Sequence, residues 1–369
     1  VQALGRNGYT AEEVRVALHA PARTLSFRYQ LLDKNNQPKG WLDSVLAASV
    51  ANNALAEIKR TARFTLMDSA NINWLSDRIK PWIRLKMPDG GWAEWPQGVF
   101  LLSTPTRKVT KTGQIIREVE AYDQLVILRD DRVTDRCTVT AGTNYITAVK
   151  QILDGAGITN QNLTPTDKTL PADREWAPGT PKLRIINDLL SAINYRSLWF
   201  DENGVAVAEP YISPADRAAE YTYRDDDQSV IFPEVVETLD LFDVANRWVL
   251  VVSEPDRPVL VSTYTNDNPD SPTSTVSRGR VIVDFREGED AADQDSLDAK
   301  AARLAFEASQ VYQQVEFETA IMPIHSDSDV IELYFSALGL AAKYAEVSWE
   351  MELRAGAKMK HRIRRVVSV

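Results

Sequence analysis

Between Ala291 and Phe335 the period of the apolar residues changes within one stretch, and that change limits the fold more than any other feature. Leu297, Ala301, Leu304, Ala305 and Ala308 fall at i, i+4, i+7, i+8 and i+11, which predicts a helix over 291–310 with a narrow apolar stripe. Glu289, Asp290, Asp293 and Asp295 gather at its start, where the helix dipole favours negative charge. At Val311 the period drops to two. Val315, Phe317, Thr319 and Ile321 alternate with Gln314, Glu316, Glu318 and Ala320, the pattern of an antiparallel strand with one face in a core and one in water. Pro323 ends that strand, His325–Asp329 (HSDSD) reads as a polar turn, and Val330–Phe335 resumes an extended run. The helix is expected to lie against the sheet that holds 311–322. Its far face, with Asp298, Lys300, Arg303 and Glu307, suits water or a polar subunit contact.

The rest of the chain supplies more strands. Residues 1–20 read as a lead-in arm. Leu25, Phe27, Tyr29 and Leu31 alternate with polar residues, Asp33–Gly40 reads as a turn, and Ile58, Ala62, Phe64 and Leu66 mark a second strand. A short helical turn is placed within Ser69–Arg78. Trp82–Met87 is extended before the hairpin signal Pro88-Asp89-Gly90-Gly91, and Val99–Ser103 and Ile115–Tyr122 follow. After about residue 135 the pattern turns to α+β. Thr143 is the expected cap of a helix carrying Ile146, Val149 and Leu153, and Thr180-Pro181 the expected cap of one carrying Leu183, Ile186 and Leu190. Leu198–Ala208 is a hairpin around Glu202-Asn203-Gly204, and Asp225–Asp227 is placed on an exposed boundary. From Ser229 strands return. Asn246–Val252 is too apolar to face water on either side, and Thr265–Gly279 is a long polar loop of the kind that is mobile or holds a partner. Ala345, Val347, Trp349, Met351 and Leu353 alternate with Glu346, Ser348, Glu350 and Glu352, and a last strand runs around Ile363–Val367.

The expected fold is therefore mainly β with an α+β insert: two antiparallel β-barrel, tube-like domains, the second crossed by a helix. The boundaries are 1–135 for the first barrel, 136–228 for the insert and 229–369 for the second barrel with helix 291–310. A chain of 369 residues is too long for one ordinary core. With 44% hydrophobic and 25% charged residues it has the make-up of a globular chain, and no apolar run approaches the ~20 residues that span a bilayer. Val1-Gln2-Ala3 opens without an apolar signal region and without Met, as a processed chain or part of a longer parent would. A single cysteine, Cys137, excludes an internal disulfide, disfavours a structural zinc site and fits a reducing cytosol. The net charge of −10 argues against a nucleic-acid coat but allows a polyanion to slide past an acidic wall. Lys358, Lys360, Arg362, Arg364 and Arg365 form the one basic cluster, read as a solvated strand face or an ionic subunit contact.

The order of several stretches resembles the hub proteins of long-tailed bacteriophages, also called baseplate hub or minor tail proteins. The stretches are Glu57–Asp68 (EIKRTARFTLMD) with Ala121–Leu125 (AYDQL), Pro181–Gly204 ending in FDENG, Phe242–Val252 (FDVANRWVLVV), and Leu297–Leu333 with its Met322-Pro323 step. None is a strict motif, so the resemblance rests on their order across most of the chain. It implies a homotrimer whose two tube-like domains per chain build a pseudo-sixfold ring at the virion tail tip. Such a ring is made and assembled in the host cytoplasm. It would join the tail tube or distal tail protein to tip or receptor-binding proteins, with the tape measure protein and then DNA in its passage. Many relatives carry a C-terminal peptidase or sugar-binding extension, which these residues lack.

No cofactor, metal or catalytic residue is expected. His325, Asp327 and Asp329 could offer ligands on one side of a turn, but a metal site needs further ligands and second-shell support, so the polar turn is preferred. Asn266, Asp267, Asn268 and Asp270 lack the glycine and distal glutamate of a calcium-binding EF-hand loop. The signatures G-x-S-x-G, H-E-x-x-H and the P-loop are absent. Two carboxylates suffice for a glycosidase, so a cell-wall or glycan-degrading tail enzyme is the alternative function, with a sugar-binding receptor module beside it. Trp74, Trp82, Trp92 and Trp95 crowd one region. Trp92 and Trp95 follow a Gly-Gly turn and are candidates for partner contact. Glu316 and Glu318 are candidates to face the passage as an acidic surface that DNA does not stick to.

Overall fold

The computed structural model describes residues 1–68, 71–239, 244–253, 258–310 and 313–367. The period switch at Val311, Ser69 of the expected helical turn, and Phe242-Asp243 of the third resemblance stretch lie outside the described residues. The chain is mainly β and antiparallel, with an α+β insert, as its periodicity predicts.

The first twenty residues are not an arm but part of the core. Thr10 and Glu13 form a reciprocal capping box that starts helix α1 (Ala11–His19), and Val14 and Leu18, one turn apart, are fully buried. Gln2 Nε2 donates to the Pro96 and Pro323 carbonyls, tying this segment to both β-rich parts. Strand β1 (Leu25–Leu32) pairs along its length with β5 (Arg78–Lys86) and on its other side with β2 (Pro38–Leu42). The turn expected over Asp33–Gly40 thus stops at Pro38. Its inner bend is held by Asp33 Oδ1, which accepts from the Asn35 and Gln37 amides, both at 2.8 Å. Strand β3 (Val45–Asn53) follows, then β4 (Arg60–Met67). After β5, the Pro88–Gly91 turn leads to β6 (Trp92–Pro96), with Gly90 at φ 89°. Strands β7 (Phe100–Leu102), β8 (Thr106–Val109) and β9 (Ile115–Tyr122) complete this part, β9 pairing with β4, β7 and β8.

The insert has its own apolar core. Helix α2 (Leu125–Asp130), α3 (Tyr145–Gly155) and α4 (Lys182–Ala192) pack Leu125, Val149, Leu153, Leu183, Ile186 and Leu190 together. Short strands β10 (Cys137–Val139), β11 (Gln161–Leu163), β12 (Arg174–Trp176), β13 (Trp199–Phe200) and β14 (Ala206–Ala208) flank them. Both expected caps move by one residue. Asn144, not Thr143, accepts from the Ile146 and Thr147 amides, and Pro181 occupies the cap of α4 while the Thr180 hydroxyl donates to the Ala177 carbonyl. An Asx side chain reaches the first-turn amides with no rearrangement, so it wins over the neighbouring threonine.

The two β-rich parts are continuous. Strand β15 (Tyr221–Arg224) pairs in parallel with β21 (Val330–Phe335). Strands β16 (Ile231–Leu239), β20 (Gln313–Ala320), β22 (Leu340–Glu352) and β23 (Lys358–Arg365) join β3 and β4 in one sheet of 15 strands. Its order is β16-β20-β23-β22-β3-β4-β9-β7-β5-β1-β2, and the seam between the halves is β22 against β3. One core fills its inner side, with Phe64, Trp95 and Phe100 from the first half and Phe317, Trp349 and Met359 from the second. A smaller sheet stands apart: β17 (Arg247–Val252) between β18 (Leu260–Thr265) and β19 (Val283–Glu287).

Helix α6 (Gln294–Gln310) starts three residues later than expected, capped by Asp293 Oδ1, which accepts from the Ser296 amide at 2.8 Å. It packs on this smaller sheet rather than on the sheet holding β20. Leu297 and Ala301 are buried against Leu250 and Val252, with Leu304 partly buried beside them. The Ala-rich stripe permits close approach, as predicted, but to β17 and β18 rather than to β20. Its far face is not free in water: Arg303 donates to the Tyr195 carbonyl at 2.9 Å, and Lys300 lies 2.7 Å from Glu289. The long polar loop is packed too. It contains helix α5 (Thr275–Arg278), Asn266 is fully buried, and Asn266 Nδ2 donates to Ser271 Oγ at 2.9 Å. The Asn246 side chain holds the loop, Nδ2 donating to the Thr273 carbonyl at 3.3 Å. The polar residues that suggested mobility satisfy the loop's own backbone instead.

Candidate functional site

Two features combine in the second half of the sheet: a broad charged face turned to solvent and a buried histidine–carboxylate cluster behind it. Strands β20 and β23 alternate strictly. Val315, Phe317, Met359, His361 and Ile363 point into the core, and Glu316, Lys358, Lys360 and Arg362 point out. Glu316 is exposed and Glu318 half-buried on the solvent side, where the alternation placed them. The face around them is not acidic, however. Glu316 Oε1 accepts from Arg362 Nε at 2.9 Å and Glu318 Oε2 from Lys358 Nζ at 2.5 Å. Register puts Glu316 opposite Arg362, and Lys360 opposite both Glu318 and Glu350, so the sheet pairs charges across strands. The pattern continues past the seam with Arg63 and Glu120 at 3.5 Å and with Lys108 beside Glu118. The basic cluster read from sequence is thus the partner of the acidic one: Lys358, Lys360 and Arg362 are exposed, Arg364 and Arg365 half-buried. A face of alternating sign has no net field to hold or repel a polyanion strongly.

The tryptophans do not form one surface. Trp95 is fully buried, and its Nε1–H donates to the Ala3 carbonyl at 3.0 Å, so it is core and not a partner contact. Trp92 is half-buried at the start of β6, with Arg84 4.3 Å and Lys86 5.1 Å from its ring. Residues three apart on a strand face opposite sides, and that spacing alone could have separated the pair. Trp74 and Trp82 are each half-buried under a cation, Arg117 and Lys80 respectively.

The HSDSD turn is buried, against expectation. His325, Ser326, Asp327 and Asp329 are all under 9% exposed. The turn is short and polar, but the structure pairs most of its polar groups. Trp349 Nε1 donates to the Ser326 carbonyl at 2.8 Å, the Ser326 amide donates to Asp329 Oδ2 at 2.9 Å, and the Glu346 amide donates to the Asp329 carbonyl at 2.7 Å. Asp327 leaves the set: its Oδ2 accepts from Arg196 at 2.6 Å. In its place come two residues the sequence did not connect. Glu346 was expected on the solvent side with Ser348, Glu350 and Glu352. A bulge between Glu346 and Ser348 shifts the phase of β22 and turns Glu346 inward, where it is 3% exposed. His361 lies on the inward phase of β23 between Met359 and Ile363, an alternation visible in the sequence.

His325 and His361 sit on either side of the Glu346 carboxylate. His325 Nδ1 is 2.7 Å from Glu346 Oε2 and 3.1 Å from Asp329 Oδ2, and His361 Nδ1 is 2.6 Å from Glu346 Oε1. The opposite ring nitrogens meet hydroxyls: His325 Nε2 is 2.6 Å from Tyr223 Oη and His361 Nε2 is 2.9 Å from Thr319 Oγ1. His361 stacks on Phe317 at 4.7 Å. Burial alone would lower the His325 pKa, but the charge of Glu346 and the hydrogen bond to Asp329 raise it to about 9. Burial alone would raise Asp329 and Glu346. His325 outweighs it in Glu346, and His325 together with the Val1 ammonium, 2.7 Å from Oδ1, outweighs it in Asp329, so each is held below the usual carboxylate range. Burial pushes His361 down and Tyr223 up.

Beside the turn a polar cleft of about 690 Å³ opens between the insert and Asp327, lined by Arg196, Trp199, Glu202, Glu209 and Arg217. Two of its carboxylates face guanidiniums, Glu209 that of Arg196 at 2.6 Å and Glu202 that of Arg60 at 3.6 Å. In the polar loop, Asn268 Oδ1 accepts from the Asp270 amide and Asn266 bonds within the loop. Asp267 and Asp270 join no ligand cluster among the described residues. Cys137 is half-buried in register with Trp176.

No family model matches the sequence, and no curated protein matches it either. Solved structures do. A tail protein from Neisseria meningitidis aligns at a TM-score of 0.66 with 11% identity, over 92% of this chain and 97% of that one. The 43 kDa tail protein of prophage MuSo2 from Shewanella oneidensis aligns at 0.64 with 9% identity, over 92% and 98%. This chain has the fold of phage tail proteins. Prophage tail protein gp18 from Listeria monocytogenes shares it at a TM-score of 0.55 and 12% identity, over 91% and 94%.

Proposed function

We propose that this protein is a structural component of a phage-type tail, a hub that closes or extends the tail tube at its tip as a homotrimeric ring. The observation that carries this reading is an end-to-end likeness of fold: the match spans nearly all of this chain and nearly all of two tail proteins. The sheet also suits assembly. Its terminal strands β16 and β2 each pair on one side only among the described residues, and both carry exposed apolar side chains, Val236 and Leu239 on β16 and Trp41 on β2. An edge of one copy meeting the other edge of the next is a head-to-tail contact that closes as a ring. In this reading the sheet halves from 1–135 and 229–369 act as two tube-like units per chain, so three copies offer six to the tube. The solvent face with Glu316 and Glu318 lines the passage for the tape measure protein and DNA, and Trp92 is a contact to a neighbouring tail protein. The ring joins the tail tube or distal tail protein to tip or receptor-binding proteins. It resides at the virion tail tip after assembly in the host cytoplasm.

The competing reading is a glycan-degrading tail enzyme, or a sugar-binding module. Its general acid would need a raised pKa in an open cleft. The raised carboxyl among the described residues is Asp123, at about 6, and it is buried by the chain. Mass measurement on assembled particles tests the hub. Three copies per ring are expected; a monomer, or six copies, refutes the trimer. Turnover of cell-wall glycan abolished by one carboxylate substitution would overturn the structural role.

A further inference from the structure

We propose that His325, His361, Glu346 and Asp329 form a buried binding site for one divalent transition-metal ion, zinc by preference. Three separate segments deliver them: the turn after β20, the bulge of β22 and the inward face of β23. All four are at most 3% exposed. The donor atoms of the two histidines and Glu346 lie within 4.8 Å of one another.

The orientation of the rings is the first argument. Both imidazoles aim Nδ1 at the same carboxylate, and both have Nε2 within hydrogen-bond distance of a hydroxyl, on Tyr223 and Thr319. Metal-bound histidines are held in this way: the outer ring N–H donates to a fixed acceptor, which leaves the inner nitrogen a lone pair for the ion. The second argument is Glu346 Oε2. It is buried, and its one partner among the described residues is the His325 ring, whose Nδ1 lies 2.7 Å away as an ion pair out of line for a good hydrogen bond. The one proton Nδ1 can carry is shared with Asp329 Oδ2 at 3.1 Å. Buried acceptors are paired as a rule, and a cation among these atoms would satisfy Oε2, both Nδ1 atoms and Asp329 Oδ2 at once. Across a tetrahedral ion with ligand distances of about 2.0–2.2 Å, neighbouring donors stand ~3.3 Å apart. The 2.6–3.1 Å spacings around Glu346 and His325 would widen by up to about 0.8 Å, and Asp329, which lies outside the 4.8 Å set and already takes the Val1 ammonium on Oδ1 at 2.7 Å and the Ser326 amide on Oδ2 at 2.9 Å, would have to move inward to complete the site. Two imidazoles with two carboxylates suit zinc better than calcium or magnesium, which prefer oxygen alone. Four protein ligands in a closed core mark a structural ion, with no open position for a substrate. Binding needs both Nδ1 atoms bare: His325 gives up its Nδ1 proton to solvent, one per ion, and neutral His361 carries its single proton on Nε2, toward Thr319 Oγ1, instead of on Nδ1. The ion would clamp the turn and the β22 bulge to β23, behind the exposed face.

The test uses the whole chain expressed with zinc and dialysed without chelator. Elemental analysis should find about one zinc per chain, and a strong chelator should remove it and lower the melting temperature reversibly. Glu346→Gln and His361→Gln should each lose the ion, while His19→Gln, at a histidine outside the cluster, should keep it. Wild-type protein that holds no stoichiometric metal and melts alike with chelator or added zinc overturns the site. So does a metal content that falls equally in His19→Gln.

Discussion

Replacing Trp349 with Phe tests whether the two halves of the sheet stand or fall together. Trp349 is on β22, opposite Asn52 of the seam strand β3, and is 2% exposed. Its ring lies 5.8 Å from the guanidinium of Arg60, the first residue of β4, and its Nε1–H is bonded to the Ser326 carbonyl at 2.8 Å. Phenylalanine keeps an aromatic ring but removes that donor, and an unpaired buried carbonyl costs about 1–3 kcal/mol. The smaller ring leaves a gap of a few tens of Å³, about 1 kcal/mol at about 24 cal/mol per Å³. The sum is about 2–4 kcal/mol. Because one core serves both halves, the loss should fall on both. In urea, hydrogen exchange should show reduced protection in Arg60–Met67 as well as in Lys358–Arg365, at one shifted midpoint. Protection lost in 358–365 with 60–67 unchanged would mean two independent cores and would refute the reasoning.

Other outcomes follow from single sites. Glu316→Lys with Glu318→Lys faces two exposed cations with like charge. Exposed pairs are worth about 1 kcal/mol or less each, so the melting temperature should move little while genome passage in a reconstituted particle slows; a loss above about 3 kcal/mol would show this face to be packed. Trp95→Ala should cost about 3–5 kcal/mol, whereas Trp92→Ala should cost much less and weaken assembly with other tail proteins; equal losses in unfolding experiments would contradict their separate placement. Burial is the main cause that lifts Asp123 to about 6, against hydrogen bonds from the Arg60 and Leu125 amides. Its unfolded value is about 3.9, so it favours the folded state below about pH 4 and that contribution, about 2–3 kcal/mol, is lost as pH rises through 6. Unfolding at pH 4.5 and 7 should show the trend in wild type and not in Asp123→Asn; parallel pH profiles would remove Asp123 as its source.

Much of the fold is legible because alternation is a local signal. Val315, Phe317 and Thr319 against Glu316 and Glu318 fixed the facing of β20, and the same reading of Met359, His361 and Ile363 would have put His361 in the core. Strand β3 was not legible. Its sequence, Val45–Asn53 (VLAASVANN), has alanine on both faces and no alternation, so neither face is marked as the buried one, while β4 and β22 pair with its two edges. That one strand decides whether the β-rich parts share a sheet, so the seam had to come from the structure. The phase of Glu346 was hidden in another way. A bulge adds one residue without a compositional mark, and strict period-two counting from Trp349 back to Glu346 then returns the wrong face. The burial of His325–Asp329 depends on Trp349, Tyr223 and Arg60, which are remote in sequence.

The bulge and the seam act on the same strand, and this bears on the proposed ring. Residues 348–352 of β22 pair with β3 and carry the outward charge of Glu350, whereas residues 344–346 turn Tyr344 and Glu346 into the core. The change of phase lets one strand serve two purposes, joining the halves at one end and completing the buried cluster at the other. A continuous sheet has a consequence for a tube. Two barrels on a linker could each tilt toward its neighbour, but halves that share a seam and a core move as one body. In the proposed trimer, ring closure is then left to the outer edges β16 and β2, and the paired charges of the inner face stay in fixed register from half to half. The face would present alternating sign around the whole passage. That suits a channel whose contents must move: no segment of the wall holds enough unpaired positive charge to arrest a phosphate backbone, and none holds enough negative charge to bar it.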